Sequence, residues 1–209
     1  MIEVIRFADS LAMSRGIAST ANVESILLEN IPGALSVEES KEDEDRNGVD
    51  WWVQTQTPKR IAVDAKVRTD DWSLRGQDDL AIETWSVIER RKIGWSRDPK
   101  KQTDYTLWLW TDTGRWCLVP FSMLCAITVD FWEGWIAIYK VRQQRTSMPD
   151  GQEYHSECVF VPRKVIWKEI YLRFSGVTES IPNKAAKIVA TAIQPSQLLL
   201  FPGMYETRR

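Results

Sequence analysis

A chain of 209 residues, 44% hydrophobic and 27% charged, is long enough for one domain with a sizeable core, too short for two full domains, and too apolar for disorder throughout. One histidine, His155, and three cysteines (Cys117, Cys125 and Cys158) with no Cys-x-x-Cys pair exclude a multi-histidine metal site, a zinc site and a disulfide framework; unless His155 serves in a triad, chemistry falls to carboxylates and lysine. No run approaches the roughly 18 apolar residues of a membrane helix, the N-terminal Met-Ile-Glu-Val-Ile-Arg lacks the order of a secretion signal, and the expectation is a cytoplasmic protein with no membrane partner.

Residues 1–32 read as helical, with Asn22 available to cap a second helix through Val23, Ile26 and Leu27, and Pro32-Gly33 to end it. An acidic loop follows. Residues 38–45 carry six acids against Lys41, a local charge of −5 that leaves +3 for everything else, so the net −2 conceals a mildly basic body. Asn47-Gly48 marks a turn, and Val49 to Thr55 is rich in strand formers. After a reversal at Thr57-Pro58-Lys59, Ile61, Val63, Ala65 and Val67 alternate with Ala62, Asp64, Lys66 and Arg68, the period of a strand with two unlike faces. The two strands form an antiparallel hairpin. Leu80 to Ile88 is a further strand across the polar loop Thr69 to Asp79, and a register centred on Ser73 and Leu74 sets Asp64 opposite Glu83 or its neighbour. Tyr105 to Trp110 reads as a buried strand, with Trp108 and Trp110 in the core. A short strand and an apolar helical segment fall within Cys117 to Ile127. Trp135 to Val141 and Glu153 to Val161 make a second hairpin around Pro149-Asp150-Gly151, and Pro162 admits a helix from Arg163 to about Phe174. His155, in that hairpin, reads as a surface or structural residue.

The chemistry concentrates at Asp50 and at Asp64-Ala65-Lys66. Two residues apart on a strand, Asp64 and Lys66 share one face. Two carboxylates and an ammonium in a core need pairing or a metal ion, and the mix suits phosphodiester hydrolysis, with hard oxygen ligands for Mg²⁺ and a lysine to orient water or offset charge. On spacing alone, a solvated outward strand face fits equally well.

The order of elements adds to this. A helix carrying Glu24, a hairpin with Gly48-Val49-Asp50 at its start and Val63-Asp64-Ala65-Lys66 after its turn, then Asp79-Leu80-Ala81-Ile82-Glu83, Gly94-Trp95 and Thr103-Asp104-Tyr105, resembles the PD-(D/E)XK nuclease superfamily over roughly residues 20–112. The match is not complete: Val49 stands where the family name has Pro, and Leu80 to Ile88 reads as a strand where a helix usually follows. The resemblance implies an α/β fold with a restriction-endonuclease-like mixed β-sheet core flanked by helices, here with an additional hairpin and a C-terminal tail. It implies one nuclease domain over 1–175, with an extension from 113, and a flexible tail over 176–209. It assigns catalytic roles to Asp50, Asp64, Lys66, Glu24 and Glu83, a metal set of Asp50, Asp64, Ala65 and Glu83, and Mg²⁺ or Mn²⁺ as cofactor. DNA is the implied substrate; RNA or structured DNA is the alternative, as is a non-catalytic DNA-binding or replication accessory protein, or an interaction protein of a phage or mobile element.

Arg90, Arg91, Lys92, Arg97, Lys100 and Lys101 form a basic stretch that suits phosphate contacts, and Trp95 within it suits a base or backbone. Gln197-Leu198-Leu199-Leu200-Phe201 resembles the pentapeptide by which bacterial polymerases and repair proteins dock on the replicative sliding clamp, with Gln197, Leu198, Leu200 and Phe201 matching. Leu200 and Phe201 in an apolar cleft supply affinity in the micromolar range, on the order of −8 kcal/mol. Mixing purified clamp with the full chain and with a chain truncated after Pro195 tests this: only the full chain binds. Equal binding by both, or none by either, refutes the docking role.

Overall fold

In the computed structural model, which describes residues 4–6, 22–41, 44, 47–148 and 150–174, the strands group in two five-stranded sheets with three helices around them. The fold is α/β with mixed sheets. The first sheet is built on the expected hairpin, β3 (Trp51–Thr55) and β4 (Ile61–Arg68), registered with Trp51 opposite Val63. The Thr55 hydroxyl closes its turn against Thr57 Oγ1 at 2.8 Å and the Lys59 carbonyl at 3.2 Å. Outside the hairpin lies β2 (Ala34–Glu39), antiparallel to β3. This strand is not legible from its residues, because Glu38 and Glu39 read as part of an acidic loop. Charges of this kind suit an edge strand, whose open hydrogen-bonding groups they protect from pairing with another chain.

On its other side β4 pairs in parallel with β7 (Tyr105–Trp110), which in turn pairs antiparallel with β8 (Trp116–Pro120). Asp104 fixes the start of this register. Its carboxylate accepts from the Ala62 N–H at 3.0 Å and from Lys59 Nζ at 2.8 Å, while its own N–H donates to the Ala62 carbonyl at 2.8 Å. β7 is buried on both faces, as a parallel strand commonly is. Leu107 and Leu109 join a core with Val23, Leu27, Val53 and Val63; Trp108 and Trp110 join another with Leu80, Ile82, Leu124 and Ile166. The expectation for the two tryptophans holds.

A parallel pair requires a long crossover, and here residues 69–104 supply it by entering the second sheet. That sheet runs β1 (Val4–Arg6), β9 (Lys140–Ser147), β10 (Glu153–Pro162), β5 (Asp79–Val87) and β6 (Lys92–Ile93). The expected β4–β5 pairing is therefore corrected: both edges of β4 are occupied by β3 and β7, and β5 pairs with β10 and β6 instead. The β9–β10 hairpin forms, its second strand where expected but its first shifted from Trp135–Val141 to Lys140–Ser147. His155 in it contacts Glu89 Oε1 through Nδ1 at 2.6 Å, a structural tie to the turn after β5.

The helices differ more from expectation. The N-terminal helical reading is corrected at Val4–Arg6, a strand parallel to β9; residues 7–21 lie outside the described residues. α1 is Val23–Asn30, preceded by Asn22 without a side-chain cap bond, and Gly33 takes the left-handed conformation (φ 72°) that ends this turn. α2 runs from Phe121 to Ile138, continuing through the segment expected to begin a strand at Trp135. Its 18 residues are long and apolar enough to cross a membrane by length and composition, which corrects the expectation that no run reaches this length. Phe121, Leu124, Cys125, Ile127, Thr128 and Trp135 of α2 are buried, several of them against α3 (Arg163–Phe174), itself as expected.

One ion-pair network anchors the crossover. Arg115 donates to both carboxylate oxygens of Asp71 at 2.6 and 2.7 Å and to Asp78 at 2.8 Å, and lies 4.0 Å from the Trp110 ring centroid. Arg163 adds a second bond to Asp78. Burial alone would raise the Asp71 pKa, but the Arg115 and Ser73 hydrogen bonds outweigh it and hold the carboxyl well below the usual range. Removing one partner of such a pair leaves a buried charge uncompensated. Arg115→Ala is expected to lower stability by about 3 kcal/mol in urea unfolding, and Arg115→Lys to recover only part of it, because the two-pronged contact to Asp71 is lost.

Candidate active site

The turn before β3 sets the first acid. Gly48 has φ 83°, and a Cβ there would lie 2.8 Å from Lys101 Cδ and 2.9 Å from Thr103 Oγ1, so only glycine lets the loop close this tightly. Two residues on, the Asp50 N–H donates to the Val63 carbonyl at 2.9 Å, and Asp50 Oδ2 accepts from the Ala65 N–H at 2.6 Å. The side chain thus replaces the next carbonyl of the ladder and is locked against β4. Ala65, expected in the metal set, serves through its N–H as the anchor of Asp50.

Asp64 and Lys66 project from the same face of β4, as the alternation requires. Asp64 is 5% exposed, and Lys66 Nζ donates to Asp64 Oδ1 at 2.6 Å. Burial raises the Asp50 pKa first and the neighbouring Asp64 charge raises it further; Lys66 and the Ala65 N–H offset only part, and the value reaches about 7. Lys66 is pulled down by burial, but Asp64 and Asp50 more than compensate and keep it charged. Two carboxylates therefore stand close enough to repel, with one ammonium between them and the second sheet. Among the described residues no third His, Cys, Asp or Glu joins them in a metal-sized cluster. A pair suits Mg²⁺, which commonly takes one or two carboxylates and completes its shell with water and substrate phosphate.

Glu83 reaches this site by sheet-to-sheet packing instead of strand pairing. Burial raises its pKa, against the Trp95 N–H and the charges of Lys66, Lys101 and Lys92. The loop at Gly94 wraps it: the Trp95 N–H donates to Glu83 Oε2 at 3.0 Å and the Ser96 hydroxyl to the Glu83 carbonyl at 2.6 Å. A Cβ at Gly94 would lie 2.0 Å from that carbonyl oxygen, so the approach demands glycine. Trp95, half-buried against Trp108 and Phe121, has its ring centroid 4.8 Å from Lys66 Nζ. Trp95 was expected among the nucleic-acid contacts; it roofs the lysine instead.

The other expected residues separate. Glu24 is exposed on α1, which packs on the Val53–Val63 face of the sheet, opposite the face of Asp64. Arg90, Arg91, Lys92 and Lys100 are exposed, Lys101 is half-buried near Gly48, and Arg97 departs from the phosphate-binding expectation. Arg97 is 8% exposed, donates to the Thr84 carbonyl, and sits against the rings of Trp85 and Trp132 at 4.5 and 3.9 Å. Gln197, Leu198, Leu200 and Phe201 lie outside the described residues.

Past Trp108, the ladder partner of Lys66, opens a cleft of about 710 Å³, lined by Arg68, Trp108 and Trp110 of one sheet and by Arg142, Cys158 and Phe160 of the other. Arg68 was legible as the next member of the Asp64–Lys66 alternation; Arg142 and Cys158 were not, since their approach depends on β10 pairing with β5. Burial pushes the Cys158 thiol up to about 12, with Glu83 adding to the shift. Comparison with protein-family models, curated proteins and solved structures finds no match to this chain.

The proton on Asp50 has a measurable consequence. Because its folded pKa lies above its unfolded value of 3.8, the folded state holds a proton that the unfolded chain releases, and stability falls as pH rises between the two values and levels off above about 7. Asp50→Asn keeps an acceptor for Ala65 and removes the repulsion, so its urea midpoint relative to the parent is expected to rise from pH 4 to pH 8. Divalent ions remove the same repulsion: Mg²⁺ raises the parent's melting temperature at pH 8 but not that of Asp50→Asn. A pH-independent difference between the two proteins contradicts the assignment.

Proposed function

We propose that the chain is a metal-dependent nuclease of the PD-(D/E)XK kind, with a restriction-endonuclease-like arrangement of β3, β4 and β7, that hydrolyses DNA phosphodiester bonds. The observation that carries this reading is the meeting of Asp50, Asp64 and Lys66 beside the β3–β4 hairpin: Asp50, just before β3, bonded to the Ala65 N–H, Asp64 in β4 beside it, and the Lys66 ammonium bonded to Asp64. Asp50 and Asp64 would hold Mg²⁺ or Mn²⁺. The ion, when bound, supplies Lewis acidity toward the phosphoryl oxygen and lowers the pKa of a water.

The chain's own groups do the rest. Asp50 would hold the cation as a carboxylate, a form that its raised pKa makes predominant only as pH rises through about 7. Lys66, held by Asp64 and roofed by Trp95, places an ammonium where negative charge develops on the phosphate and orients the attacking water. Glu83 keeps Trp95 in place through the Trp95 N–H and balances the Lys66 charge from the second sheet. Tethering to a sliding clamp through residues 197–201 would raise the local concentration of the nuclease at DNA without a sequence-specific contact. A binding protein without activity has no need of a buried lysine clasped by a carboxylate, an arrangement that costs desolvation.

The test is incubation with linear, circular and single-stranded DNA, with and without Mg²⁺ or Mn²⁺. Cleavage is expected only with metal, and Asp64→Asn and Lys66→Met each reduce it by on the order of 10²–10³-fold while circular dichroism stays unchanged. Equal cleavage by either variant, or by the parent without metal, refutes the mechanism.

A further inference from the structure

The cleft past Trp108, the ladder partner of Lys66, is lined from both sheets, with an arginine and at least one aromatic ring on each wall. On one wall Arg68 continues the face of Asp64 and Lys66, with Trp110 as its ladder partner and Trp108 as the partner of Lys66. On the other, Arg142, Cys158 and Glu83 are successive ladder partners across β9, β10 and β5, which places Arg142 in line with the acid facing Lys66. Phe160 stands in the adjoining row, 5.5 Å from the Arg142 guanidinium. Arg68 and Arg142 are both exposed, and among the described residues neither has a carboxylate partner at ion-pair distance. The Trp108 indole N–H, on a cleft residue only 1% exposed, has no acceptor among the described residues. Asp70 and Asp79 also line the cleft, and among the described residues no cation holds either at ion-pair distance, although the charges of Lys140 and Arg142 act on Asp79.

From this juxtaposition we infer that the cleft binds an unpaired DNA strand next to the scissile phosphate, with Arg68 and Arg142 on its phosphates and a base against the half-buried Phe160; the inference rests on the nuclease reading for what lies at Asp50 and Asp64. Lys66 and Arg68 are two strand residues apart, about 6.6 Å, a separation comparable with that of neighbouring phosphates along an extended strand. Aromatic walls give sequence-tolerant stacking, and cations alternating with them follow a backbone, the two elements of a single-strand groove. The Trp108 N–H offers a donor to a base edge or phosphate. A space of about 710 Å³ between the two sheets has room for a short stretch of single strand, and its aromatic lining favours bases freed from pairing. The substrate is therefore a single strand or the frayed end of a duplex.

Binding is measured by fluorescence anisotropy with a labelled twelve-nucleotide single strand and a blunt hairpin duplex of the same sequence, in Ca²⁺, for the full chain and for Arg142→Gln, Arg142→Lys and Arg68→Gln. Arg142 is exposed, so its variants keep the fold. Expected are tighter binding of the single strand than of the duplex and at least fivefold loss in each Gln variant. The slope of log K against log salt becomes shallower by about 0.7 per arginine removed and is restored in Arg142→Lys. Preference for the duplex, no binding of either DNA, or an unchanged salt slope in both Gln variants overturns the inference. The same samples in Mg²⁺ read the nuclease proposal separately. Cleavage with unaltered binding by the Gln variants rejects the cleft and leaves the nuclease, whereas arginine-dependent single-strand binding without cleavage rejects the nuclease and leaves the cleft.

Discussion

The parallel pairing of β4 with β7 is the constraint on which the site depends. With β7 along one edge from Val63 to Arg68 and β3 on the other from Ile61 to Val63, β4 takes its neighbours from elsewhere in the chain, and the segment between residues 68 and 105 pairs in another sheet. It does so in the second sheet, and the return loop then brings Gly94, Trp95 and Ser96 back across Glu83. Asp104 completes the circuit by bonding to Lys59 and Ala62 at the start of β4. Each of these steps is ordinary backbone satisfaction, and together they turn one face of β4 from an open surface into the floor of an enclosed polar site.

Enclosure gives that site its electrostatic character. Asp50 and Asp64 in water would both be ionised and indifferent to each other. Taken out of water they compete for one ammonium, and the strain appears as a proton retained on Asp50 to about pH 7. Lys66 is held on three sides, by Asp64, by the Trp95 ring and by the charge of Glu83. Under the proposed reading, a divalent ion would relieve the repulsion that folding created.

How much of this was legible in the sequence depends on the range of the interaction. The β3–β4 hairpin, the shared face of Asp64 and Lys66, the buried tryptophans of β7, strand β10 and α3 are written in local alternation and turn residues, and the structure has them where expected, whereas β9 begins at Lys140 because α2 runs on through Trp135. What failed was non-local. A strand and its neighbour in sequence usually pair, so β5 was set against β4; only the occupancy of both β4 edges shows otherwise. Arg97 looks like its basic neighbours until Thr84, Trp85 and Trp132 close around it. Glu38 and Glu39 read as loop because strand β2 is defined by what it pairs with, not by its own residues. Arg142 and Cys158 carry no local signal, being brought to the cleft by β10 alone.

The two halves of the site also differ in how they come together in time. The pair Asp50 and Asp64 belongs to a hairpin closed by a short turn, whereas the register that sets Val63 beside Tyr105 closes a much longer loop. Loop closure of that length is entropically costly and parallel pairing is slow to form. The carboxylates therefore meet before the roof over Lys66 exists, and a chain caught midway through folding carries the acids without the enclosure that gives them their raised affinity for a proton or a cation.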